Sequence, residues 1–540
     1  MDELKAALKK ASQKLGEQVE PQLSRPDEQF GDYSTNLALQ LAQKLGKNPH
    51  EVAEAIKTDL AASGITAEIA GPGFLNFKLP DETLAKAAFN ATDLPKPNAG
   101  QEILVEFGDP NPFKEMHIGH VYSYTVGDAI ASLLEVSGAK VKRLSYHGDV
   151  GLHVAKTIWA INNKASTAAG FQAGNIETDT MMGGFYAIGN KAYEADEIAK
   201  VEIERINQKI YDKSDPKINE LYEWGRQKSF AYFDNVLKDL DVHSAERFLE
   251  SEAAIEGKKM VEANIGKVFE KSDGAMVYKG EKVGLHTRVF ITSAGLPTYE
   301  AKDLGLAKLK PKANRSLIVT AHEQTEYFKV MLAALAEIDK DLAAKTEHIY
   351  HGFVSLSSGK MSSRTGEVYS ALSFIMDVDE AVEKAFEKTS DSTRNAAIKY
   401  GFLKHRLGSD IVYDVAESIS LEGNSGPYLQ YAHARAKSIL SKAQTKSSEL
   451  KNLNLEPAER SLARKISEYP EVVAAAITEL LPSHICTYLY ELAQNFNAFY
   501  ENSRVIGDTR QELRLKLVEA YAAVLKSGLN LLNIEAPEKV

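Results

Sequence analysis

A single cysteine, Cys486, stands among 540 residues, which excludes an intrachain disulfide framework and any cysteine-based zinc site. It lies in the apolar-aromatic stretch HICTYLYELA, where a thiol packs as a small inert hydrophobe. No apolar run approaches the ~18 residues that a bilayer span needs, which excludes a transmembrane helix. The opening MDELKAALKKASQKLGEQVE lacks the apolar core of a signal peptide, and it mixes in the acids that a transit peptide avoids. The expectation is a cytoplasmic chain with no membrane partner. Positive charge is also short: 64 Lys and Arg against 75 Asp and Glu leave a net charge of −11. Binding nucleic acid through a broad cationic surface is disfavoured, whereas a local basic groove for one shaped RNA is compatible with that total. With 44% apolar and 26% charged residues, the chain is neither disordered nor fibrous. Its length points to about three or four domains.

Residues 1–85 read as helices followed by two short strands. Leu4, Leu8 and Leu15 keep helical spacing, as do the apolar positions of STNLALQLAQKLGKNPHEVAEAIKTDLAAS, and ITAEIAGPGFLNFKL alternates around a Gly71-Pro72-Gly73 turn. The run DLPKPNAG at 93–100 reads as a linker. Next come a strand, EILVEF (102–107), a proline-broken loop, a helix from about His117 to Val136, and a second strand starting at Val141. That order is a βαβ unit and predicts a parallel sheet, with ligand at the carboxyl ends of its strands. Residues 155–270 read as a charged helical insertion, strand-like segments return at RVFIT and SLIVT, and helices with short connections run from Asp377. The fold class expected is α/β: a Rossmann-type parallel-sheet domain with a helical insertion, an N-terminal α+β domain and a C-terminal all-α bundle. The corresponding boundaries are 1–92, 99–375 and 376–540.

The segment NPFKEMHIGH (111–120) carries the most chemistry. His117 and His120, three apart at a helix start, share one face at its N-terminal end, and Gly119 between them opens the backbone to a flat base or ribose. Two imidazoles beside free helix N–H groups suit the charge that develops on an α-phosphate in nucleotidyl transfer. A second segment, LSSGKMSSRTGEV (356–368), is rich in Ser and Gly and holds Lys360 and Arg364. It reads as a loop able to close on a polyphosphate.

These two segments resemble the HIGH and KMSKS signatures of class I aminoacyl-tRNA synthetases. Within that class the chain resembles the arginyl-tRNA synthetase family over nearly its whole length. FGDYSTNLAL and GPGFLNFKL carry the likeness early, VEFGDPNPFKEMHIGH, YHGDVGLHV and GLPTYEAKDLG in the middle, and LEGNSGPYLQYAHARAKSIL with LLNIEAPEKV at the end. The KMSKS-like run departs from the pattern at Ser363, where a second lysine is usual, and Lys114 before the HIGH segment fits the compensating role. His153 stands where many relatives carry glutamine.

The resemblance implies arginine–tRNA ligation: activation of L-arginine with ATP and Mg²⁺, then transfer to tRNA(Arg), with activation awaiting bound tRNA. The alternative is a non-catalytic tRNA-binding paralogue. It further implies that His117, Gly119, His120, Lys360, Met361 and Ser362 hold ATP, with His117, His120, Lys360 and Lys114 catalytic. The arginine pocket would use Glu106, Asn111, Tyr299, Asp303 and Gln324, since a planar guanidinium with five donors is selected by carboxylates placed for bidentate bonds. No protein metal ligand is expected, the first domain would touch the tRNA corner and the last its anticodon, and the chain would be a monomer.

Overall fold

The computed structural model describes residues 2–167, 181–359, 369–388, 390–443 and 453–539. It divides into two compact units. One comprises Met1–Asp93, Ala436–Pro470 and Glu491–Val524; the other comprises Leu94–Arg435, Glu471–Tyr490 and Leu525–Val540.

In the first unit, strands β1 (Tyr33–Thr35), β2 (Glu68–Ala70) and β3 (Phe74–Phe77) form an antiparallel sheet in the order β1-β3-β2. The two strands expected around the glycine-proline turn are β2 and β3. Helices Asp2–Lys14, Leu37–Leu45 and Pro49–Ala61 bury Leu8, Leu41, Ala53 and Ile56 against Leu75 and Phe77. Asn48 caps the third of these, accepting from the His50 N–H, with Pro49 in the first turn where no N–H is needed. Helix Asp81–Phe89 packs on helix Pro457–Ser467 from the C-terminal part of the chain. There Arg460 donates to Asp32 (2.6 Å), to Asp81 and to the Leu79 carbonyl (3.1 Å).

The second unit is built on five parallel strands: β4 (Glu102–Phe107), β5 (Lys140–His147), β6 (Glu246–Leu249), β10 (Arg315–Ala321) and β11 (Thr346–His351). Their spatial order is β11-β10-β4-β5-β6. Chain order reverses between β4 and β10, which makes the crevice beyond those two strands the natural ligand position. Helix Ile118–Val136 lies against the sheet with fifteen buried residues, and its start and end are those expected from the sequence. Gly127 permits this close approach, because a Cβ there would sit 2.2 Å from the Phe107 ring.

Two sequence expectations change. The stretch 155–270 begins as helices, ending with Pro216–Asp239, but β6 within it is an outer strand of the main sheet. Four half-buried to exposed residues, ERFL, carry no apolar alternation to announce it. The later part is not wholly helical either: β13 (Ile411–Tyr413) pairs in parallel with β12 (Val354–Leu356). Strands β7 (Glu270–Ser272), β8 (Ala275–Tyr278) and β9 (Arg288–Ile291, the RVFIT segment) form a separate antiparallel sheet. Cys486 is buried and its thiol pushed up by desolvation, as an inert packing residue should be. Among the described residues no helix is long and apolar enough to cross a membrane.

Candidate active site

The loop joining β4 to the Ile118–Val136 helix is held under strain. Asp109 (φ 51°) and Phe113 (φ 65°) both take left-handed backbone conformations, each costing a side-chain-bearing residue about 1–2 kcal/mol. Neighbours on several elements fix them. The Asp109 carboxylate accepts from the Tyr146 N–H (2.7 Å), and the Phe113 N–H donates to Ser229 Oγ (2.9 Å). Thr157 Oγ donates to the Phe113 carbonyl (3.1 Å), and Asn111 Oδ1 accepts from the Gly148 N–H (3.1 Å). Strained backbone held by several partners is common where geometry serves a ligand.

His117 is the N-cap of the helix. Its N–H donates to His120 Nδ1 (3.1 Å), which leaves the His120 proton on Nε2, and the two rings stack with centroids 3.7 Å apart. Desolvation, with Lys114 adding repulsion, lowers His117 to about 4. Burial and the neighbouring His117 and Lys114 push His120 well below its usual range. Both imidazoles are therefore neutral donors at pH 7. A Cβ on Gly119 would stand 2.9 Å from His117 Nδ1, so glycine keeps this pair in place. Lys360, Met361 and Ser362 lie outside the described residues. The chain just beyond them pairs with the histidine segment: the Ala371 N–H donates to the Met116 carbonyl (2.8 Å), and the Ile118 N–H to the Tyr369 carbonyl (3.2 Å).

A cavity of about 780 Å³ opens at the β4–β10 crevice. His117, Gly119 and His120 line one part of it, and Glu106, Asn111, Tyr299, Asp303 and Gln324 also line it. Glu106 is next to last in β4, is 3% exposed, and lies 2.8 Å from Lys310 Nζ. Asp303, on helix Tyr299–Leu309, accepts from the Tyr327 hydroxyl. Burial lifts its carboxyl to about 7; the Tyr327 bond opposes the rise and nearby Glu106 adds to it. Asp109 is raised well above the carboxylate range by burial and by Glu106. Tyr299 is 65% exposed at the cavity's rim, its ring 5.2 Å from the Lys302 ammonium. Lys114 does not line the cavity: its ammonium sits over the Tyr186 ring at 4.6 Å, its pKa lowered by desolvation and by Lys156. His153 Nε2 is 2.8 Å from the Gly148 carbonyl, and burial brings its pKa down to about 3.

Several cavity residues escaped the sequence reading. Glu250, buried and ion-paired with Lys302, follows the unrecognised strand β6 and so occupies a strand's carboxyl end. Recognising β6 would have found it. Arg288, paired with Glu300 at 3.0 Å, and Tyr327 also line the cavity. No signal short of the tertiary fold brings them there. No group of three or more His, Cys, Asp or Glu side chains able to hold a metal ion occurs among the described residues.

A doubly wound parallel sheet with paired histidines at the first βα turn defines the catalytic domain of a class I aminoacyl-tRNA synthetase. Residues 83–404 match the family "tRNA synthetases class I (R), catalytic domain". Residues 2–79 match "Arginyl tRNA synthetase N terminal domain", and 429–540 match "DALR anticodon binding domain". The chain is 30% identical to the arginine–tRNA ligase of Cutibacterium acnes over 97% of both chains. It is 29% identical to that of Bdellovibrio bacteriovorus over 95% of this chain and 93% of the relative. The arginyl-tRNA synthetase structure from Thermus thermophilus superposes with a TM-score of 0.85 at 27% identity, covering all of both chains. The chain belongs to the arginyl-tRNA synthetase family, and is a class I ligase with ATP as a substrate.

Proposed function

We propose that this ligase joins L-arginine to tRNA(Arg) in two steps within the β4–β10 cavity. The observation that carries the reading is one cavity containing both a neutral, stacked histidine pair and the carboxylates Glu106, buried, and Asp303, half-buried. In the first step the arginine carboxylate attacks the α-phosphate of ATP in line, giving arginyl-adenylate and pyrophosphate. His117 and His120 donate to the developing charge on the α-phosphate. Lys360 steadies the β and γ phosphates; Lys114, held over Tyr186 outside the cavity lining, adds its charge beside His117 and reaches the phosphates by leaving that ring, and Mg²⁺ enters as the ATP complex. Met361, Ser362 and Gly119 complete the ATP contacts, while Asn111, Tyr299, Asp303, Gln324 and Glu106 hold arginine. In the second step a ribose hydroxyl of the tRNA's terminal adenosine attacks the adenylate. Little covalent work falls to the protein, so positioning and electrostatics carry the rate.

The guanidinium pocket selects by leaving carboxylates unpaired against neutral analogues, for which discrimination on the order of 10⁴–10⁵ is attainable without a second sieve. Residues 1–92 serve the tRNA corner, 99–375 the chemistry and 376–540 the anticodon. The protein acts as a cytoplasmic monomer, and activation waits for bound tRNA.

The test is arginine-dependent ATP–pyrophosphate exchange with and without total tRNA. Exchange only with tRNA supports both the activity and its coupling. Exchange without tRNA keeps the ligase and removes the coupling. No exchange from folded protein with Mg²⁺ present favours the non-catalytic tRNA-binding paralogue.

A further inference from the structure

Lys310 follows the Tyr299–Leu309 helix as its C-cap, seven residues beyond Asp303. Its side chain is 5% exposed, and its ammonium lies 2.8 Å from Oε2 of Glu106, itself 4% exposed at the side chain. Lysine is almost never buried unless paired. Around this ammonium stand three carboxylates, Glu106, Asp109 and Asp303, and Lys310 acts electrostatically on both aspartates. Among the described residues the other cations near the cavity are committed elsewhere: Lys302 pairs with Glu250, and Arg288 with Glu300. Lys310 is therefore the cation set against this carboxylate group from behind the cavity wall, for it does not itself line the cavity.

A carboxylate buried beside two others needs a cation to offset its desolvation and their repulsion. We propose that Lys310 is a positioning residue of the amino-acid pocket, its buried ammonium fixing the Glu106 carboxylate in place so that the pocket presents it to one guanidinium. Lysine suits the task better than a second fork-shaped cation, because a point charge engages one carboxylate oxygen and does not itself imitate the ligand. This role rests on the reading that the cavity takes arginine.

The experiment titrates L-arginine into the full chain by calorimetry and measures KM for arginine and for ATP in tRNA-supported exchange. Lys310→Met should weaken arginine binding by about tenfold to a hundredfold, the loss that corresponds to removing one charge-assisted interaction. KM for ATP should stay within about twofold, because the phosphate contacts lie on the histidine side. Lys310→Arg, which keeps the charge, should recover most of the loss. If Lys310→Met fails to fold, Lys310→Gln keeps a donor without the charge and should show the same split. Unchanged arginine affinity in the folded Met or Gln variant, or equal increases in both KM values, overturns the role while leaving the ligase intact. Wild-type protein that binds no arginine overturns the ligase reading, and the role of Lys310 falls with it.

Discussion

Arginine binding should tighten as pH rises from 6 to 8, with Asp303 as the group responsible. Its carboxyl is half-buried, accepts from the Tyr327 hydroxyl, and faces Glu106 with its partner Lys310 and Glu250 with its partner Lys302. Desolvation, then repulsion from Glu106, places it at about 7. Below that pH the group carries a proton and is neutral; a guanidinium must displace the proton before it pairs. Above it the carboxylate is ready. For one site titrating at about 7 the ionised fraction rises from about 0.09 at pH 6 to about 0.91 at pH 8, a tenfold change worth ~1.4 kcal/mol. His117, lowered to about 4, and His120, pushed well below its usual range, do not titrate in this window, and the guanidinium stays charged throughout. The assay is KM for arginine in tRNA-supported exchange at saturating ATP, at half-unit steps of pH. Asp303→Asn keeps the shape and removes the titration. It should raise KM by about 30-fold, corresponding to ~2 kcal/mol for lost charged hydrogen bonds, and give a profile flat within twofold. A wild-type profile flat within about twofold, or an Asn variant that keeps the tenfold slope, would refute this account of the pocket.

Three further outcomes follow from the geometry. His117→Ala should lower kcat for exchange by about 10²–10³, the usual loss for one preorganised donor, with KM for arginine within about threefold. In the wild type, kcat should show no histidine inflection between pH 6 and 8, since the His117 imidazole titrates at about 4; an inflection near 6.5 would contradict the desolvated site. In the first unit, Arg460→Ala leaves the buried carboxylate of Asp32 with Arg464 Nε at 3.7 Å and the Leu79 N–H at 2.7 Å. Losing one partner of a buried pair costs about 3–5 kcal/mol, measurable as a lower urea midpoint, and a change under ~0.5 kcal/mol would show that the pair is screened.

Local pattern made much of this protein legible in advance. The run EILVEF is apolar enough to be a buried central strand, and the structure places β4 at those six residues. The following helix starts beside His117 and ends at Val136, because a proline-broken loop precedes it and Ser137-Gly138 follows. His-Ile-Gly-His was readable for the same reason: three residues of spacing at a helix start put both rings on one face, and the rings stack. The carboxylates Glu106 and Asp303 were reached by family likeness alone, since as isolated letters they are ordinary surface charges.

What the tertiary structure alone decided concerns partners distant in sequence. Strand β6 became part of the main sheet through pairing with β5, not through any alternation of its own. Its inclusion put Glu250 at the crevice. Lys310, seven residues past Asp303, reads in the sequence as one more charge in KLKPK, and only the fold buries it against Glu106 behind the cavity wall. Lys114 lies over Tyr186 of the helical insertion, a pairing that its own segment does not encode. Periodicity and turn chemistry act over a few residues and can be read along the chain. Desolvation, charge neutralisation and pKa depend on which groups the fold brings within a few ångströms, and those groups come from the whole length of the chain.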